Sequence, residues 1–190
     1  RDTPNYFLFN IQEYDLVNVT SYLLETANFS PSYTPLIRGR LLSAKRAGSG
    51  EFCFEKFIER ESILTLQESL QKSNKISKGE WWNEESEEAE VSIDAEVAES
   101  MNLKIGDELL FSAGGSKFSA TVTSFREIEW ESFSPNFFFI LSPSAGQKLP
   151  NSYITSIKIS EQSDVMNLFT QRFPTITAVD LAAVIQQIRN

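Results

Sequence analysis

Three glutamates alternate along the segment REIEWES, at Glu127, Glu129 and Glu131. Two carboxylates at a suitable separation can carry out general acid–base catalysis, as in glycoside hydrolysis. On a strand, however, alternate residues share one face, so these three side chains would repel one another if packed together. We therefore expect them to be exposed to water. A free-standing hydrolase that uses a carboxylate pair remains an alternative interpretation.

A denser acidic run, NEESEEAE, extends from Asn83 to Glu90. A calcium loop needs spaced oxygen ligands and a glycine at its turn, and this run has neither. The nearby segment SAGGSK lacks the spacing and the final Lys-Ser/Thr of a phosphate-binding loop. The acidic run is typical of a solvated loop, and Gly114-Gly115 predicts the turn of a β-hairpin.

The chain has no histidine and a single cysteine, Cys53. The commonest general base and metal ligand is therefore missing, and an intrachain disulfide or a thiolate metal cluster is excluded. Cys53 lies between aromatic residues in EFCFEKF, which favours a small buried side chain. We predict no catalytic, metal-binding or cofactor-binding residues, and a protein that is not an enzyme.

Composition excludes further classes. The 190 residues carry a net charge of −9, which is opposite to what a nucleic-acid binder or a polybasic membrane-surface module needs. With 41% apolar residues the chain can bury a substantial core. Its longest apolar runs are shorter than the roughly 18 residues of a membrane span, so we expect the chain as given to be soluble.

Aromatic residues are concentrated in two segments, and core packing competes with partner binding as their explanation. The candidate partner-contact residues are Trp81, Trp82, Trp130, Phe133 and Phe137. Phe137 begins a run of three phenylalanines, which on a strand requires cover on both faces. We predict that Phe138 and Ile140 belong to the core, and that Trp82, Trp130 and Phe133 are at least partly exposed as an apolar patch.

The elements around these residues form two kinds of region. A β-α-β pattern starts the chain, strands and helices alternate again at its end, and the middle is rich in strands. We predict an α+β fold in which residues 1–46 and 150–190 form a split-βαβ subdomain and residues 47–149 a β-rich insertion. The last helix has no stop signal, so we expect a piece of a longer protein.

Several segments resemble one known family. The most specific are N-x-I-x-x-G-x-W from Asn74 to Trp81, the motif LKIGD and the segment WESFSPNFFFI. They resemble the large extracytoplasmic domain of bacterial ABC-transporter permeases of the MacB/FtsX/LolC superfamily, with the greatest likeness to the YbbP-like predicted permeases. The resemblance covers nearly the whole chain, and residues 44–49 and 83–90 depart from it.

The resemblance implies a Porter-like α/β subdomain with an inserted Sabre-like subdomain, on the periplasmic face of the inner membrane between transmembrane helices. It also implies a separate cytoplasmic ATP-binding subunit. The expected function is non-catalytic: the domain relays ATP-driven conformational change to a periplasmic protein or a lipidic substrate, and binds no nucleic acid. A free-standing periplasmic lipid-binding module is the other alternative.

Overall fold

The computed structural model describes residues 3–54, 61–131, 134–146, 149 and 152–189. Its strands are β1 Tyr6–Ile11, β2 Thr34–Lys45, β3 Phe52–Phe54, β4 Glu61–Leu66, β5 Asn74–Gly79, β6 Glu90–Asp94, β7 Glu108–Ala113, β8 Ser116–Ile128, β9 Phe139–Leu141, β10 Ser152–Ile157 and β11 Thr177–Asp180. Its helices are α1 Leu16–Ala27, α2 Ala95–Ser100, α3 Val165–Arg172 and α4 Leu181–Arg189. The fold class is α+β, as the sequence predicted.

The chain divides into two compact units. The first comprises Arg1–Pro35, Phe133–Pro135 and Asn151–Asn190, and the second comprises Leu36–Ser132 and Asn136–Pro150. The chain passes from the first unit to the second after Pro35, whereas the sequence placed this boundary after residue 46. The reason is that β2 pairs along most of its length with β4 and β7 of the second unit. The Porter-like and Sabre-like assignments stay predictions.

The first unit combines a sheet with helices. β1 lies between β10 and β11 and is antiparallel to both, so strands from the two ends of the sequence pair directly. In α1, Leu16, Val19 and Leu23 form an apolar stripe at helical spacing, and Val19 and Leu23 are fully buried. The helix ends at Asn28, whose left-handed backbone (φ 52°) is a common way to stop a helix. The Tyr22 hydroxyl donates to the Val165 carbonyl at 2.8 Å within this core.

In the second unit, counting described residues only, six strands close into a ring in the order β2, β4, β9, β6, β8 and β7, and β7 pairs again with β2. The β4–β9 and β6–β8 pairs are parallel, and the others are antiparallel. β5 pairs with the later part of β8. Each of these six strands therefore has a pairing partner on both of its sides over part of its length.

The β7–β8 hairpin and β8 itself bring buried residues into register. Gly114 and Gly115 have φ of 58° and 81°, which suits the predicted two-residue turn. β8 contains a bulge: Val122 pairs with Val91 and Ser124 with Ser92, so Thr123 is the extra residue. The buried positions continue in alternation from Val122 through Ser124 to an arginine, Arg126.

The core of the second unit is mostly aliphatic, with aromatic contributions from β7 and β9. Its fully buried members are Ile37, Ala44, Leu64, Val91, Ile93, Leu109, Phe111, Val122 and Leu141. Within the described ranges, no helix combines the length and the apolar character needed to cross a membrane.

Candidate contact site

The phenylalanine run leads into β9, which has apolar cover on both faces. Phe139 and Leu141 belong to the core of the closed sheet. Ile140 lies on the opposite side, fully buried in a second cluster with Trp82 and Phe137. The prediction that Ile140 is core is confirmed. The strand is central in its sheet, between β4 and β6, and needs large apolar side chains on both sides.

Phe138 differs from its neighbours, and its predicted place in the core is wrong. Its side chain is 49% exposed. The residue precedes β9, so strand alternation does not direct it. Its carbonyl accepts hydrogen bonds from the Asp94 backbone N–H at 2.8 Å and from Arg126 Nη2 at 2.9 Å. The ring meets Trp130 edge-on, with centroids 5.6 Å apart, and Trp130 is 54% exposed, as predicted.

Trp82 was expected to be partly exposed, and this prediction is also wrong. Only 7% of Trp82 is exposed, the same fraction as for Phe137. Its indole N–H donates to the Gln67 carbonyl at 2.9 Å, and its ring stacks on Trp81 with centroids 3.9 Å apart. A satisfied N–H allows a large indole ring to be buried. Phe133, the other predicted contact residue, lies outside the described residues.

Behind the exposed pair lies a fully buried arginine, Arg126. Its guanidinium donates hydrogen bonds to Ser92 Oγ at 2.9 Å, Asn74 Oδ1 at 2.5 Å, and the carbonyl oxygens of Ser92, Phe137 and Phe138 at 3.2, 2.8 and 2.9 Å. Burial lowers the Arg126 pKa to about 10, and the nearby charge of Asp94 partly opposes this shift. The side chain therefore remains charged at neutral pH and holds two consecutive carbonyls in place.

Hydrogen bonds among neighbouring polar groups extend this arrangement. Asn74 Nδ2 donates to Asn136 Oδ1 at 3.0 Å, and the Ser124 hydroxyl donates to Ser92 Oγ at 2.7 Å. Asp94, which is 4% exposed, accepts from the Val97 N–H at 3.1 Å and caps α2, as its position in the sequence suggests. The segment before β9 is thus fixed by buried polar contacts on several strands.

Sequence reasoning missed both Arg126 and Phe138. The signal for Arg126 is its register, because it continues the buried positions of β8 in an alternation that starts at Ala120. An arginine at a buried position needs several acceptors. Nothing in the sequence locates those acceptors, which come from β5, β6 and the segment before β9.

The acidic residues considered for catalysis or calcium binding are exposed to solvent. Glu127, Glu129 and Glu131 are exposed, and the run from Asn83 to Glu88 is an exposed loop apart from the half-buried Ser86. In the part of the chain that the structure describes, no three His, Cys, Asp or Glu side chains form a group that could hold a metal ion. The side-chain burial predicted for Cys53 falls outside what the structure describes.

No protein-family model matches the chain. Among curated proteins, the chain is 31% identical over 189 residues to an uncharacterized ABC transporter permease, YbbP, of Escherichia coli strain K12. The alignment covers 98% of this chain and 23% of that permease, so the chain spans about a quarter of the relative's length. The chain is thus similar along nearly its whole length to part of an ABC transporter permease, the resemblance that its motifs predicted.

Proposed function

We propose that the chain is the non-catalytic extracytoplasmic domain of an ABC transporter permease, which passes ATP-driven movement to a partner or lipidic substrate on the periplasmic side of the inner membrane. The similarity to the E. coli permease over 98% of the chain carries this proposal. A permease of this class acts with an ATP-binding subunit, so the energy for movement comes from outside the domain.

The exposed glutamates support the non-catalytic role. A hydrolytic carboxylate works in a cleft where its pKa can be tuned and water can be controlled. Glu127, Glu129 and Glu131 instead lie at the surface of β8 and the segment that follows it. The hydrolase alternative therefore lacks a site among the described glutamates that first suggested it.

The contact surface in this proposal is centred on Trp130 and Phe138. Both rings are about half exposed and in mutual contact, while the buried guanidinium of Arg126 holds the Phe138 backbone. A rigidly supported aromatic pair offers apolar area at a low cost in conformational entropy. Phe137, which precedes Phe138, is buried with Trp82 and Ile140, and Trp81 packs against the same cluster.

The test uses the full-length permease in cells, with Cys53→Ser as the background and Ser21→Cys as an exposed label site on α1. A membrane-impermeant maleimide should label Ser21→Cys while the inner membrane is intact, and should not label the background variant. Labelling that requires lysis of the inner membrane would overturn the periplasmic placement.

The same variant tests the relay of movement. In membranes that contain the ATP-binding subunit, a fluorophore at Ser21→Cys should change its emission on addition of ATP. A subunit that binds ATP but cannot hydrolyse it should stop the cycle in one state. An emission that stays constant under all nucleotide conditions would contradict the relay.

A further inference from the structure

Hydrogen bonds from both indole N–H groups hold the Trp81–Trp82 pair in place. The two rings are stacked with an interplanar angle of 29°. The Trp81 N–H donates to the Glu68 carbonyl and the Trp82 N–H to the Gln67 carbonyl, both at 2.9 Å. The polar atom of each indole is therefore already satisfied. Because Trp82 is only 7% exposed, the ring surface that the pair can offer a ligand is mainly that of the half-buried Trp81.

A cleft of about 1040 Å³ begins beside this pair. Its apolar lining residues are Trp82, Phe118, Pro143, Ala145 and Leu149. The charged residues in the described lining are all carboxylates, namely Glu68, Glu84, Glu85 and Glu87. An adjoining depression of about 580 Å³ shares several of these residues and adds Trp81. The volume exceeds that of a pocket for one small ion and suits a segment of several residues.

The carboxylates and the aromatic rings of the cleft both favour a cationic ligand. Exposed carboxylates by themselves would be a solvated loop, as the sequence predicted for residues 83–90. Here they border a concave surface whose aromatic rings attract cations through the negative potential of their faces. Guanidinium groups also stack on aromatic rings, and their aliphatic stems match an apolar wall. The net charge of −9 adds a long-range attraction for a basic partner.

We propose that this cleft binds a basic, partly apolar peptide segment of a protein partner. An Arg or Lys side chain lies on Trp81 beside Glu84 and Glu85, and a neighbouring apolar side chain extends towards Phe118. This inference rests on the proposed function, because it specifies the chemistry of the partner that the proposed function requires. The site is separate from the Trp130–Phe138 pair in its lining residues.

The test measures peptide binding to the 190-residue chain by calorimetry. The probe is a blocked RLSRLS peptide, and its neutral counterpart is QLSQLS. We expect saturable binding of the basic peptide that weakens as salt increases, and much weaker binding of the neutral peptide. Trp81→Ala and the double variant Glu84→Gln/Glu85→Gln should each weaken binding about tenfold, whereas Trp81→Phe should retain most of it.

The matched control is Glu127→Gln/Glu129→Gln, which removes the same charge from an exposed site outside the cleft lining. It should change the affinity by less than about twofold. Thermal melts establish that each variant is folded. Equal binding of the two peptides, equal weakening by the control, or no saturable binding would overturn the proposal. So would binding of phosphatidylethanolamine vesicles through the same glutamates, since the ligand would then be a lipid headgroup.

Failure of this proposal can be distinguished from failure of the proposed function. Peptide binding is measured on the isolated chain and does not depend on its compartment or on ATP. The maleimide and fluorescence experiments report on compartment and movement, and do not depend on the glutamates of the cleft.

Discussion

Two neighbouring phenylalanines in the second unit have opposite environments. Phe137 is buried with Trp82 and Ile140, whereas Phe138 is half exposed against Trp130. Their side chains are identical, so hydrophobicity cannot account for the difference. The carbonyls of both residues accept from Arg126, and that of Phe138 also accepts from the Asp94 N–H. Backbone hydrogen bonds therefore decide which ring enters the core and which ring faces water.

The comparison also separates two roles for aromatic residues. Trp82, Phe137 and Ile140 form a small cluster whose burial stabilises the fold. Trp130 and Phe138 are only about half buried and leave apolar surface available for contact. Stability and partner binding should thus respond to different substitutions within one short segment.

The largest expected effect is at Arg126, because its substitution would remove the donor that holds the carbonyls of both phenylalanines. Arg126→Ala leaves buried carbonyls and the Asn74 amide oxygen without their donor, and should lower the free energy of unfolding by about 4 kcal/mol. Arg126→Lys keeps a charge but cannot reach the same acceptors together, so it should recover only part of this loss. Urea denaturation of both variants checks the prediction. A loss below about 1 kcal/mol for the alanine variant would show that the network is dispensable.

The next prediction compares the two rings directly. Phe137→Ala should lower the free energy of unfolding by about 3 kcal/mol because it opens a cavity beside Trp82. Phe138→Ala should cost less than about 1 kcal/mol because half of the ring is already in water. Parallel thermal and urea melts measure both values. Similar losses for the two variants would mean that Phe138 is ordinary core after all.

A smaller effect concerns the contact between Trp130 and Phe138. Edge-on aromatic pairs contribute about 0.5 kcal/mol or somewhat more beyond their burial. A double-mutant cycle with Trp130→Ala and Phe138→Ala should therefore give a coupling energy of about this size. In the full permease, the same variants should impair the ATP-dependent process far more than they destabilise the fold. Unchanged ATP-dependent activity of the full permease with both substitutions would remove these residues from the contact surface.

The smallest expected effect is a change in stability at alkaline pH. Its sign differs between Tyr33 of the first unit and Arg126 of the second. Burial raises the pKa of Tyr33, while its hydrogen bond to Thr20 partly opposes the shift. The neutral phenol then contributes stability below pH 10.0, the ordinary pKa, and this contribution is lost as pH rises through the raised value. Tyr33→Phe should consequently lose less stability than wild type above about pH 10.

Arg126 should change the stability in the opposite direction over the same alkaline pH range. Burial lowers its pKa to about 10, below the ordinary value for arginine, so between these two values the unfolded chain binds the proton more readily than the folded chain does. Its contribution to stability therefore rises with pH in that window. Comparing urea midpoints of wild type, Tyr33→Phe and Arg126→Lys at several alkaline pH values tests both signs. A pH dependence unchanged by Tyr33→Phe would contradict the assignment for the first unit.

Local sequence patterns determined much of this protein. The stripe through Val19 and Leu23, the hairpin at Gly114-Gly115, the cap at Asp94 and the burial of Ile140 all follow from periodicity or from turn and cap chemistry. Such features depend on residues close together in the chain, so their spacing is sufficient to predict them. The family motifs likewise predicted the relationship to an ABC transporter permease.

Only the tertiary structure decided the environments of Phe138, Trp82 and Arg126. The acceptors of Arg126 come from segments far apart in the sequence, and the Trp82 N–H finds its acceptor at Gln67. A buried polar group is stable only when such partners are in place, and no local pattern specifies partners that folding brings together. The identity of each ring is therefore readable from the sequence, whereas its exposure depends on which distant groups bind the backbone beside it.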